Sequence, residues 1–147
     1  MKNKEEINRS LAITLLRSRE AVMDRFRPML ASAKITEQQW RVLRGLSEHG
    51  EVEAGKLAYI ACILPQSLSR IVRNFEKKHL IFMKNDPSDA RKILLSLTDK
   101  GKILMSRATI DSKEIYSQLI EDFGRENLEQ LLEKLNLLQS SLNLKSR

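Results

Sequence analysis

Between Leu80 and Leu97 the apolar pattern of this 147-residue chain leaves the helical period that governs the rest of it. Leu80-Ile81-Phe82-Met83 is a short continuous apolar run, and Asn85-Asp86-Pro87-Ser88-Asp89 is dense in turn formers. Lys92-Ile93-Leu94-Leu95-Ser96-Leu97 then returns as a second run. Two such runs about such a turn predict a β-hairpin. The chain has only five Gly and three Pro. That is too few for the many turns of a sandwich or barrel, so the hairpin is set in a mainly α protein.

The helices follow from spacing. Leu11, Leu15, Val22, Phe26 and Met29 predict a long amphipathic helix over 7–33, with Pro28 a candidate kink. Thr36 and Gln39 predict an N-cap and capping box. The helix they open should bury Trp40, Leu43 and Leu46 and stop at His49-Gly50. A short helix over 54–62, a turn at Ile63-Leu64-Pro65 and a helix over 66–78 lead into the hairpin. Thr98 should cap a helix over 99–123, and Gly124 breaks it. A last helix carries Leu128, Leu131, Leu132, Leu135, Leu138 and Leu142 on one stripe. Short helix, tight turn, second helix and hairpin, in that order, make a winged helix-turn-helix.

The charge is uneven. The chain carries +7 at neutral pH, with +4 in residues 1–34, −1 in 35–63, +5 in 64–102 and −1 in 103–147. A basic surplus around a helix-turn-helix points to a polyanion. On a helical wheel Leu68, Ile71, Val72 and Phe75 share one face of the second helix. Gln66, Arg70, Arg73 and Lys77 share the opposite face. Ser69 and Asn74 flank them, and Ser67 at the helix start completes the candidate set. These side chains match base edges and phosphates: Arg pairs with guanine, Gln or Asn with adenine. The alternative is an ordinary solvated face. In the wing, Arg91 is the candidate for the minor groove, and Asp89, two residues away, is placed to hold it by a salt bridge.

Other classes find little support. There is no Ser/His/Asp set, metal cluster or phosphate loop, so no enzyme, cofactor or metal is expected. One cysteine, Cys62, excludes an internal disulfide, and its default reading is a packed, inert side chain. His49 and His79 lack obvious ligand partners. No secretory h-region and no membrane-spanning run occurs, which predicts a cytoplasmic protein without a membrane partner.

The segment Asp86-Pro87-Ser88-Asp89-Ala90-Arg91 with Leu97-Thr98-Asp99-Lys100-Gly101 resembles the wing signature of the MarR family of transcription regulators. Ser18-Arg19-Glu20-Ala21, Phe26-Arg27-Pro28, Ile35-Thr36-Glu37-Gln38-Gln39-Trp40-Arg41 and Ala61-Cys62-Ile63-Leu64 resemble its regulators of aromatic-acid breakdown, the homoprotocatechuate and hydroxycinnamate repressors. The resemblance covers about residues 10–140. It departs at the reading helix, where Pro65-Gln66-Ser67-Leu68-Ser69-Arg70 replaces the subgroup's Arg-Pro-Ser-Leu-Thr-Gly, so no operator sequence carries over. It departs also from the peroxide-sensing members, whose first helix carries a cysteine absent here.

The resemblance implies a homodimer on a pseudo-palindromic DNA operator. The dimerisation helices would span 7–34 and 104–147, around a DNA-binding lobe over 35–103. The leucine stripe of the last helix agrees, since one small chain offers little else to cover it. The resemblance also implies a small phenolic or aromatic carboxylic acid as effector, such as a hydroxycinnamate, that releases the DNA. Arg19 lies in the middle of the apolar face of the first helix, and neither Glu20 nor Asp24 shares its direction. Such a guanidinium needs a partner. Either a carboxylate from another helix or the carboxylate of a bound acid meets that need. Met23, Trp40, Leu43, Cys62 and Tyr116 are wall candidates, with Tyr116 or His49 as donor to a phenol. An activator, a different effector, or a protein-interaction module without DNA remain the alternative readings.

Overall fold

The computed structural model describes residues 3–143, the side chains of residues 7–9 excepted. Its elements are α1 (Lys4–Ala33), α2 (Glu37–His49), β1 (Val52–Glu53), α3 (Ala54–Ile60), α4 (Pro65–Lys77), β2 (Ile81–Asp86), β3 (Asp89–Leu97), α5 (Asp99–Phe123) and α6 (Arg125–Asn143). The mainly α winged helix-turn-helix is as the sequence predicts. The chain divides into two compact units, Met1–Ile110 and Asp111–Arg147.

In the first unit the core is built from α2, α3, α4 and the sheet. Trp40, Leu43 and Leu46 of α2 are buried with Leu57, Phe75, Ile81 and Leu95. The caps explain where helices start. Thr36 accepts from the Gln39 N–H at 3.1 Å while the Gln39 side chain accepts from the Thr36 N–H at 3.0 Å. This is a reciprocal capping box. Pro28 is accommodated inside α1, which runs on to Ala33.

The sheet has a third strand that no periodicity announces. β1 is two residues long and pairs with β3 through Val52↔Leu95 and Glu53↔Leu94, giving the order β1-β3-β2. The hairpin strands are longer than the apolar runs. β2 continues through Lys84, Asn85 and Asp86, which pair with Leu94, Ile93 and Asp89 across an irregularity between Asn85 and Asp86, and the turn shrinks to Pro87-Ser88. Asp86 Oδ1 accepts from the Ser88 N–H at 2.9 Å and its hydroxyl at 2.7 Å, which fixes that turn. The short helix ends at Ile60, before the expected Cys62. Its carbonyls are closed off by the N–H groups of Ala61, Cys62 and Ile63, and Cys62 takes a left-handed φ of 54°.

The second unit holds the last part of α5 and α6. None of the leucine stripe from Leu128 to Leu142 is fully buried, and Leu131, Leu132 and Leu142 are exposed. Residues 144–147 of the expected C-terminal helix lie outside the described residues. In the same way Leu11, Leu15 and Val22 of α1 are exposed, while Phe26, Met29 and Leu30 are buried.

Gly101, at the start of α5, lies against backbone. A Cβ there would overlap the Leu80 carbonyl oxygen and crowd Leu97 Cδ2 at 3.2 Å. Gly101→Ala should therefore lower folding stability by about 1–3 kcal/mol, as overpacking does, in urea unfolding followed by circular dichroism. Unchanged stability would mean that the Leu80 turn yields freely.

Candidate nucleic-acid interface and effector site

Helix α4 separates its faces as the wheel predicts. Leu68, Ile71, Val72 and Phe75 are buried, whereas Gln66, Ser69, Arg70, Arg73, Asn74 and Lys77 are exposed and Ser67 is half-buried. The exposed residues are not equally available. Ser69 Oγ donates to the Pro65 carbonyl at 3.1 Å, and Arg73 Nε donates to the Ser69 carbonyl at 3.3 Å. Those bonds hold the Ser69 hydroxyl back on the helix. They leave the terminal nitrogens of Arg73 projecting. Gln66 and Arg70, one turn apart, make no such bonds among the described residues.

The wing presents Arg91, whose side chain is 91% exposed. Asp89 Oδ1 accepts from the Arg91 N–H at 3.0 Å and from Nε at 3.1 Å, so the expected salt bridge is present. The hydrogen bond from the Arg91 side chain is the main cause that holds the Asp89 carboxyl below its ordinary pKa. The Ser88 hydroxyl does the same for Asp86. Lys84, another wing cation, is engaged by Glu51 at 3.1 Å.

Around Arg19 the structure corrects two expectations. The side chain is 43% exposed rather than sunk in an apolar face, and Glu20 reaches it at 3.5 Å. The exposure follows from the face itself, since Leu15 and Val22 beside Arg19 are exposed too, and the Glu20 contact follows from the length of two side chains that reach beyond their wheel directions. The principal partner does come from another helix: Arg19 Nη2 donates to Glu37 Oε2 at 2.8 Å. Arg27 Nε donates to the other oxygen, Glu37 Oε1, at 3.1 Å, and Arg27 also pairs with Glu20 at 2.6 Å and with Asp24. One carboxylate in the first turn of α2 thus joins two arginines of α1. The hydrogen bond from Arg19 is the main reason that the Glu37 pKa is lowered. The Arg27 pKa is raised, chiefly by its bond to Glu20.

The other wall candidates separate. Trp40 and Leu43 are buried in α2 and Met23 is half-buried on α1. Leu43 is wholly enclosed, which makes it core. Cys62 is exposed, not packed. It falls just past the end of α3 in a left-handed conformation, between buried Ala61 and Ile63. Tyr116 belongs to the second unit and is partly exposed there; His49 is exposed at the end of α2.

A sequence model of the MarR family matches residues 35–93. Over 122 residues the chain is 41% identical to the homoprotocatechuate degradative operon repressor of Escherichia coli, covering 83% of this chain and 82% of that protein. The chain belongs to the MarR family. Two solved structures resemble it closely. One is NadR in complex with 4-hydroxyphenylacetate, with a TM-score of 0.79 and 39% identity over 86% of this chain and 89% of that one. The other is the transcriptional repressor CouR bound to a 23-mer DNA duplex, with a TM-score of 0.79 and 27% identity over 94% and 98%.

Within this MarR chain one positioning contact escaped the sequence reading. Arg41 Nε donates to the Ala61 carbonyl at 2.8 Å, joining α2 to the turn after α3. Its only trace in the sequence is an arginine beside the buried Trp40.

The Glu37 pairing sets a pH dependence. Its folded pKa lies below the ordinary 4.5, so the stabilisation is present above that value and lost as pH falls through the lower folded value. Glu37→Gln should therefore be less stable than the parent chain at about pH 6, and the gap should close in strong acid. Urea midpoints measured across that range check this; a gap that is constant with pH would assign the loss to packing.

Proposed function

We propose that this chain is a homodimeric transcriptional repressor that holds a pseudo-palindromic DNA operator and releases it on binding an aromatic carboxylic acid. The observation that carries the reading is the two-faced α4, with Gln66, Arg70, Arg73, Asn74 and Lys77 exposed opposite a fully buried apolar stripe. Arg70 and Gln66 are the proposed base readers. Arg73 and Lys77 take phosphates, and Arg91 carries the wing into the minor groove. Ser67, Ser69 and Asn74 flank them. The DNA-bound state of CouR supports the class of partner.

The homodimer is supported by the exposed leucines of α6, which need cover. Two copies would set two reading helices about 34 Å apart, one turn of DNA. The effector class is supported by the function named for the Escherichia coli repressor and by the 4-hydroxyphenylacetate held by NadR. In this chain Arg19 is the proposed anchor for the effector carboxylate, beside Met23 and Trp40. Glu37 holds Arg19 until the acid exchanges with it. Binding favours a spacing of the two reading heads that does not fit the operator. A coupling of about 1–3 kcal/mol would loosen DNA about 5–150-fold.

The experiment is fluorescence anisotropy on duplexes from upstream of the gene and its neighbours. The titration is repeated with 4-hydroxyphenylacetate, homoprotocatechuate, ferulate and p-coumarate. One acid should weaken binding; tight binding that none weakens would remove the effector class and leave the regulator. Arg19→Ala should abolish the acid response and keep operator affinity within a few-fold. Arg70→Ala should cost about 1–3 kcal/mol of base discrimination, whereas Lys77→Ala should weaken all sequences alike and flatten the salt dependence by about one unit of slope. Equal losses on operator and random DNA for both variants would deny Arg70 its base.

A further inference from the structure

We infer that Leu64 is a base-reading residue that seats against the C5-methyl group of a thymine in the major groove. The inference rests on the DNA-reading proposal above and adds a named base contact to it.

Leu64 is the N-cap of α4, with an extended backbone at φ −64° and ψ 142°. That position favours Ser, Thr, Asp or Asn, whose side-chain oxygen accepts an N–H from the first turn. Leucine forfeits the bond, and α4 has no side-chain cap. Nor does the residue contribute to the core. Leu64 is 74% exposed, the highest value among the described exposed large apolar side chains. Its neighbours do the structural work. Ile63 before the cap and Leu68 at the fourth helical position are both buried, at the spacing of a hydrophobic staple. Pro65 occupies the first helical position, where its missing N–H costs nothing. Leucine here serves neither the helix end nor the interior, and such a broken local rule is expected where function sets the residue.

Its place in the fold names that function. The first residues of a recognition helix are the ones that meet base edges. A leucine brings no donor and no acceptor, and the one apolar group that bases offer in the major groove is the thymine methyl. Gln66 stands two residues on and is exposed. It matches the N6 and N7 edge of adenine. Leu64 and Gln66 together therefore fit A·T pairs at the tip of the helix, while Arg70, one turn further, fits guanine.

The test uses the full chain and the best duplex selected from a random-sequence pool. Each thymine is replaced in turn by deoxyuridine, which deletes only the methyl group. At one thymine in each half-site the replacement should weaken wild-type binding about fourfold, the effect of one buried carbon. Leu64→Ser should bind the thymine and deoxyuridine duplexes equally, while its thermal midpoint rises because serine supplies the missing cap. A variant that keeps the wild-type preference for thymine overturns the assignment. So does a wild-type protein indifferent to every replacement, and in both cases the DNA-reading face stands. A lowered thermal midpoint in Leu64→Ser would assign the residue to the fold instead. If no selected duplex is bound better than random DNA, the DNA-reading proposal itself fails, and this inference with it.

Discussion

The turn at Leu80 is the constraint on which the winged helix-turn-helix depends. Thr98 donates its N–H to the Leu80 carbonyl at 3.0 Å and its hydroxyl to the His79 carbonyl at 2.6 Å, and the same hydroxyl oxygen accepts from the Gly101 N–H at 3.0 Å. One side chain thus caps α5 and closes the end of α4. Lys100 Nζ adds a bond to the Lys78 carbonyl at 3.0 Å. Gly101 must be glycine for the helix to come this close to the Leu80 carbonyl. The spacing Leu97-Thr98-Asp99-Lys100-Gly101 has a physical content: an anchor in the sheet, a hydroxyl that serves two ends, and a residue without a side chain one turn later. Helix α4 and the root of the wing are fixed to each other through it.

A second fastening works at the other end of α4. Arg41 spans from α2 to the Ala61 carbonyl, in the turn that carries Cys62 at positive φ. The segments Gln38-Gln39-Trp40-Arg41 and Ala61-Cys62-Ile63-Leu64 lie far apart in sequence, yet they meet in this bond. Trp40 packs the core, and Arg41 beside it secures the turn that delivers Leu64 and Pro65 to the start of α4.

What could be read from the residues was whatever a single period or a single cap decides. The faces of α4, the capping box at Thr36 and the full span of α5 from Asp99 to Phe123 are of that kind. β1 was not legible, because two residues carry no period and Val52 and Glu53 pair only through the register of β3. The hairpin was underestimated because its outer half is polar on both strands. Around Arg19 a wheel fixes Cβ directions but not the reach of long side chains, so it leaves out Glu20 and gives the partner only as a carboxylate from another helix, which the structure identifies as Glu37. Cys62 was expected inside because cysteine usually is; the left-handed turn that ends α3 places it outside.

The arginines proposed to act on ligands divide by how they wait for them. Arg19 is held by Glu37 and Arg91 by Asp89, each in a pair open to solvent. Such pairs contribute little to stability, because water screens them and long side chains lose freedom in forming them. That weakness suits a site whose partner must be exchanged. The carboxylate orients the guanidinium beforehand, which lowers the entropy lost on binding, and it can give way to the minor groove at Arg91 or to an effector carboxylate at Arg19 at small cost. A deeply buried pair would not serve, since breaking it leaves an uncompensated charge worth several times more. Arg70 has no such holder among the described residues. It is free to search for a base edge, and the discrimination it gives then depends on the geometry of the bases rather than on the protein that carries it.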